Sequence, residues 1–216
     1  MSPTYCPLCH SPDIQSYSRD KSRHYLNCQQ CQLVFVPTEQ HLSAEQEKAV
    51  YDLHQNEIHD AGYRRFLSRL YTPLIERLPA GAQGLDFGCG PGPALAEMFR
   101  EVCYPVNLYD CFYHPNRNAL EKQYDFIVAT EVVEHLSQPG LELQRLWQLL
   151  KPNGWLGLMT KLVIDLEAFN SWHYKNDLTH ICFFSRATFV WLAGQWGATV
   201  EFAGSDVILL HKPAAE

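Results

Sequence analysis

Leu85-Asp86-Phe87-Gly88-Cys89-Gly90-Pro91-Gly92 is the stretch on which the reading of this chain turns. An apolar run carrying one acidic residue gives way to glycine at every second position, and Ala94-Leu95-Ala96-Glu97-Met98-Phe99 follows with helical character. A strand, a tight loop and a helix are expected in that order. The loop then lies at the carboxyl edge of the strand, where open α/β sheets bind ligands. Glycine lets a ligand approach the backbone closely and makes positive φ affordable in the turn. Cys89 sits inside the loop, where a small side chain is wanted. A dinucleotide enzyme more often shows GxGxxG with pyrophosphate at the helix N-terminus. Asp86 suits a cationic ligand better than a phosphate.

Outward from this loop, short apolar runs alternate with helical ones. VNLYD and YDFIVAT read as further strands, LELQRLWQLL as an amphipathic helix, and GWLGLMT as a strand after the turn KPNG. RATFVWLAGQWG reads as a helix, and ATVEFAG with DVILLHK as a closing antiparallel pair. Upstream, Phe66, Leu67, Leu70, Leu74, Ile75 and Leu78 recur at helical spacing, with Pro73 expected to kink or divide that helix. Strands alternating with helices predict an α/β fold with a mostly parallel sheet covered on both faces.

The motif Asp86-x-Gly88-x-Gly90-x-Gly92 resembles the first motif of class I S-adenosylmethionine-dependent methyltransferases. Further landmarks are similar in the same order: Asp110 closing VNLYD, then YDFIVATEVVEHL, then LKPNGWLGLMT. The likeness runs from about residue 60 to 212. It implies a Rossmann-like, seven-stranded-type sheet and S-adenosylmethionine as cofactor. It implies that Asp86 orients the amino end of the cofactor and that Gly88, Cys89, Gly90 and Gly92 approach its methionine and ribose portions. Asp110 would hold the ribose hydroxyls, with Glu131 just beyond its strand also on the cofactor. Glu134 and His135 would open the next helix. The stretch from Asp110 to Tyr124 is too short for the family's usual helix and third strand, so that region is expected to be reduced. The adenine contact is then left to Phe112, Tyr113 or residues 115–122.

The cysteines divide the chain. Cys6/Cys9 and Cys28/Cys31 form two CxxC pairs about twenty residues apart, the pattern of a tetrahedral thiolate Zn2+ site in a small ribbon. His10 occupies a position where many such knuckles have glycine. Cys103, Cys111 and Cys182 are scattered among apolar residues and read as small core hydrophobes. The expected organisation is a zinc ribbon over residues 1–37, a helical connector over 38–62 and the methyltransferase domain over 63–216.

The 216 residues carry a net charge of −7 with ten histidines counted neutral. A protein built mainly to grip nucleic-acid phosphates usually shows a basic surplus, so such a partner is disfavoured. No apolar run is long enough to span a bilayer, and the N-terminal residues carry no secretion signal, which makes the cytoplasm the expected location. Methyl transfer needs an aligned acceptor and, where the acceptor is protonated, a base. Trp172–His180 gathers His173, Tyr174, Asp177 and His180 after a strand, at the same sheet edge. His173 or His180 is the expected base, with Glu131 as rival. A small-molecule acceptor is preferred. An RNA methyltransferase that grips its substrate through the ribbon and a non-catalytic cofactor-binding adaptor are the alternatives. Oligomeric state is not legible.

Overall fold

A computed structural model describes residues 5–53 and 57–214. The chain begins with a hairpin of β1 (Ile14–Arg19) and β2 (His24–Cys28). Asp20 closes the turn by accepting from the backbone N–H groups of Ser22 and Arg23, both at 2.8 Å. After β3 (Val34–Phe35), α1 (Ala44–Tyr51) starts at a capping box of Ser43 and Gln46, which satisfies two otherwise orphaned donors. α2 (Ala61–Ile75) is capped by Asp60 and remains one helix that ends two residues after Pro73.

The remaining elements are β4 (Gly84–Phe87), α3 (Ala94–Arg100), β5 (Val106–Tyr109), β6 (Tyr124–Thr130), α4 (Pro139–Leu149) and β7 (Leu150–Met159). They are followed by α5 (Leu166–Ser171), β8 (Cys182–Phe183), α6 (Arg186–Trp196), β9 (Thr199–Phe202) and β10 (Val207–His211). The main sheet has the order β5-β4-β6-β7-β10-β9. Its first four strands are parallel, while β10 is antiparallel to both β7 and β9.

The sheet is six-stranded rather than of the seven-stranded type that the family likeness implied. Past β5 the chain turns back through a bridge between Asp110 and His114, then makes one 3-10 turn over Arg117–Glu121 before β6. That stretch has no room for another strand, so β5 is the edge among the described residues.

Period-2 alternation sends neighbouring side chains to opposite layers. Phe126, Val128, Val207 and Leu209 pack with α2 and α3 around Leu70, Leu74 and Phe99. Ile127, Ala129, Ile208 and Leu210 pack with α4 and α6 around Leu143, Leu146 and Phe189. The second layer continues without a break into the N-terminal region, where Tyr25, Val34 and Phe35 are buried in the same core. The small sheet is likewise shared: its order is β1-β2-β3-β8, with Val34 opposite Phe183. Gly140, in the first turn of α4, lies against the first cysteine knuckle, and a Cβ there would run into the carbonyl of Leu8.

Candidate active site

A cleft of about 820 Å³ opens at the carboxyl edge of β4, β5 and β6, between the glycine loop and the segment ending at His180. Gly88 and Gly90 have φ of 72° and 63°, a region that glycine enters without Cβ strain. A Cβ on Gly88 would come within 2.5 Å of Val132. Gly88, Cys89 and Gly90 line the cleft, whereas Gly92 does not; its carbonyl accepts from the N–H of Ala94 at 2.8 Å.

Asp86 is buried at the floor. Burial pushes its carboxyl up to about 7, against the backbone N–H of Ala96 and the charge of Arg100, while nearby Asp110 adds to the rise. Asp110 holds the far wall together. It accepts from the N–H of Gly90 at 3.0 Å and from those of Phe112 and Tyr113 at 2.8 and 3.0 Å. A carboxylate has about four lone-pair directions, so one remains for a ligand. Phe112 and Tyr113, expected near adenine, both line the cleft, as does Cys111. Cys111 is exposed, not a core residue, because no strand covers that side of β5; Cys103 is also exposed, and Cys182 is buried as expected.

Glu131 lines the cleft with φ of 53°, rare for a residue with a Cβ, and its N–H is held by the carbonyl of Met159 at 2.8 Å. Such strain concentrates at functional positions. Burial and then the neighbouring Glu134 push its carboxyl up. Glu134 and His135 do not open α4. They sit in a 3-10 turn over Val133–His135, ahead of the helix that starts at Pro139, and Glu134 is fully buried.

The histidine-bearing segment is split by the structure. His173 is hydrogen-bonded to Lys161 at 3.2 Å on an exposed surface and is not part of the cleft wall. His180 is buried, lines the cleft, and stands 4.7 Å from His135 between ring centroids. Burial, then the nearby His135, push His180 down to about 4, against Asp177, so its imidazole is neutral at physiological pH. Tyr174 lies behind this group, donating to Glu134, with its hydroxyl 3.4 Å from Glu131.

Sequence reasoning passed over Tyr51 and Glu47, within the expected connector, Tyr63, at the start of the next helix, and Phe66, read as part of a helix face; all four line the cleft. Nothing in their local pattern separates them from ordinary helix residues, because helices from two regions must meet before they form a wall.

Beside the first turn of α4, Cys6, Cys9, Cys28 and Cys31 bring their sulfurs within 4.8 Å of one another. The Cys6–Cys31 and Cys9–Cys28 pairs are 3.5 and 3.4 Å apart. Bonds of about 2.3 Å to a tetrahedral ion place sulfurs about 3.8 Å apart, so the cluster fits Zn2+. The two knuckles repeat one geometry. His10 and Gln32 have φ of 58° and 59° and donate to the carbonyls of Cys6 and Cys28, each at 2.9 Å.

Among solved structures, the fold is similar to a Burkholderia thailandensis 1,6-didemethyltoxoflavin-N1-methyltransferase with bound 1,6-didemethyltoxoflavin and S-adenosylhomocysteine. The two share 16% identity over 92% of this chain and 99% of that one, with a TM-score of 0.53. A chain of the Haloferax volcanii complex between the Trm112 methyltransferase activator and a methyltransferase shares 14% identity, over 81% of this chain and 99% of that one, with a TM-score of 0.58. At such identities the likeness concerns the fold. No curated protein matches in sequence. A family model described as a methyltransferase domain matches residues 59–201. That span holds the cleft lining except for Glu47 and Tyr51 and well over half of the chain, which therefore belongs to the methyltransferase-domain family and is an S-adenosylmethionine-dependent enzyme.

Proposed function

We propose that the enzyme methylates a small-molecule acceptor held at the polar end of the cleft, between Glu131, His135, Asp177 and His180. S-adenosylmethionine, which supplies the methyl group, would lie along the glycine loop. Asp86 would meet its amino group and the remaining lone pair of Asp110 its ribose. Phe112, Leu136 and Leu141 would supply apolar surface for adenine. The residues fit such a ligand because the space above Gly90 is open and both carboxylates line the same cleft as the loop.

One observation carries the small-molecule reading. The polar groups converge inside a cleft, while the N-terminal region turns its central cation inward: Arg23 is only 5% exposed. An RNA-gripping ribbon needs its cations at the surface. The four cysteines would hold one Zn2+ as a structural ion.

The test has two parts. Calorimetry should detect S-adenosylmethionine binding that Asp110→Ala weakens by about 1–3 kcal/mol, through lost charge-assisted hydrogen bonds. Incubation of the protein and labelled donor with a cell extract split by size should then place the label in the small-molecule fraction. Label found only in RNA or protein would overturn the choice of acceptor, and absence of donor binding would overturn the site.

A further inference from the structure

We infer that Glu134, His135 and His180 form a second metal site, for a divalent first-row cation, at the acceptor end of the cleft. Each of the three offers a ligand atom within 4.8 Å of the others. Two imidazoles and one carboxylate make a donor set suited to Mn2+, Fe2+, Co2+ or Zn2+ rather than to Ca2+.

The second observation is an orphan. Glu134 is fully buried, and its Oε1 accepts from the Tyr174 hydroxyl with Thr160 beside the carboxyl. Its Oε2 is buried and has no hydrogen-bond partner among the described residues. A buried carboxylate oxygen without a donor is costly, and a cation removes that cost.

The histidines are prepared in the way metal ligands are. His135 Nδ1 lies 3.1 Å from the carbonyl of Thr179, and His180 Nδ1 lies 2.7 Å from that of Tyr174. A carbonyl only accepts, so both Nδ1 atoms carry the hydrogen and both Nε2 atoms carry the lone pair in the neutral ring. That arrangement, imidazole locked through one nitrogen so that the other can ligate, is the usual support of a metal-bound histidine. Asp177 adds to the point: its Oδ2 lies 3.9 Å from His180 Nε2, so two lone-pair-bearing atoms face each other with no hydrogen between them. A cation, directly or through a bound water, resolves this.

His135, His180 and Asp177 line the cleft. Open coordination positions would therefore face the acceptor, and an acceptor oxygen would be the natural occupant. That last step rests on the proposed placement of the acceptor; the metal site itself does not.

Manganese alone tests the site, in full-length protein with its four-cysteine cluster loaded with zinc. Loss of the free Mn2+ paramagnetic resonance signal should report about one bound equivalent per chain, without donor or acceptor present. Glu134→Gln and His180→Asn should each weaken this by at least about tenfold, and His173→Ala should leave it unchanged. In the wild type, where no variant has to fold, Mn2+ should broaden the ring resonances of His135 and His180 before those of His10 and His173. Failure to take up Mn2+, retention of it by both ligand variants, or broadening elsewhere would overturn the site. Donor binding by calorimetry on the same sample shows separately whether the cofactor cleft is sound.

Discussion

Asp86 shows how one residue couples ligand charge to pH. Its carboxyl is raised to about 7 because it is buried, with Tyr63 from α2, Arg100 from α3 and Asp110 beyond β5 as the neighbouring charged or titratable groups. Burial disfavours the anion, so an ordinary carboxylate that ionises near 4 in the unfolded chain is held protonated up to near neutrality. The sign follows: above the ordinary carboxylate range Asp86 subtracts from stability as pH rises, and a cationic ligand restores the anion. Binding of S-adenosylmethionine should therefore tighten as pH rises through 7. A group with this pKa goes from mostly protonated at pH 6 to mostly ionised at pH 8, so the affinity should change by about tenfold. Asp86→Asn should bind weakly with a flat profile over that range. Calorimetry at the two pH values checks both, and an unchanged slope in the variant would move the titration to another group.

At the scale of elements, β3 and β8 explain why the N-terminal region is part of the enzyme. β3 is two residues long, and its outer edge is completed by β8, which leads directly from His180. The N–H of Val36 donates to the carbonyl of Ile181, and the N–H of Ile181 donates to that of Glu134, both at 2.9 Å. A disturbance in the cysteine knuckles thus reaches the acceptor end of the cleft through backbone hydrogen bonds. Protein purified without chelator should contain about one tightly held Zn2+, because four thiolates close the site. Its removal should expose residues 5–37 to protease, since ligand binding and local folding are the same event in so small a region. Metal analysis with limited proteolysis checks this; a zinc-free, protease-resistant N-terminus would refute it. No helix among the described residues is long and apolar enough to cross a membrane.

Across the whole molecule, Arg23 joins the two regions. From the turn between β1 and β2 its guanidinium donates to four backbone carbonyls of the far segment. These are Lys175, then Asp177, Leu178 and His180 at 3.0, 3.3 and 2.8 Å. Lys175 returns an ion pair to Asp20 at 3.0 Å, and Tyr25 donates to the same carboxylate at 2.8 Å. Arg23 does not line the cleft, so under the proposed function it would act by positioning the segment that carries His180. Arg23→Ala should lower kcat by about 10²-fold, the scale of a misplacement near 1 Å. Donor affinity should stay close to wild type, because the glycine loop and Asp110 are on other elements. Some thermal stability is lost as well, from buried carbonyls left without donors. Equal loss of donor binding and turnover would mean that Arg23 only keeps the protein folded.

The Asp86–Gly92 loop, the Asp110 landmark, the two CxxC pairs and the alternation of strand and helix could all be read along the chain. Each depends on local rules: glycine tolerance of positive φ, period-2 burial, and thiolate spacing within a tight turn. The reduced region after β5 was also visible, as a simple matter of length, although the count of strands in the sheet was not. Other features needed the folded molecule. His173 and His180 look alike in sequence, and only the path of the chain after α5 sends one to the surface and the other into the cleft. Glu134, on local pattern a helix-capping acid, became a buried carboxylate because β8 and Tyr174 close over it. Arg23 stands in a short hairpin turn, where a cation ordinarily faces water, and its partners lie about 150 positions further along. Contacts between residues so far apart leave no periodicity or spacing behind, since they arise only when the two sheets pack on one core.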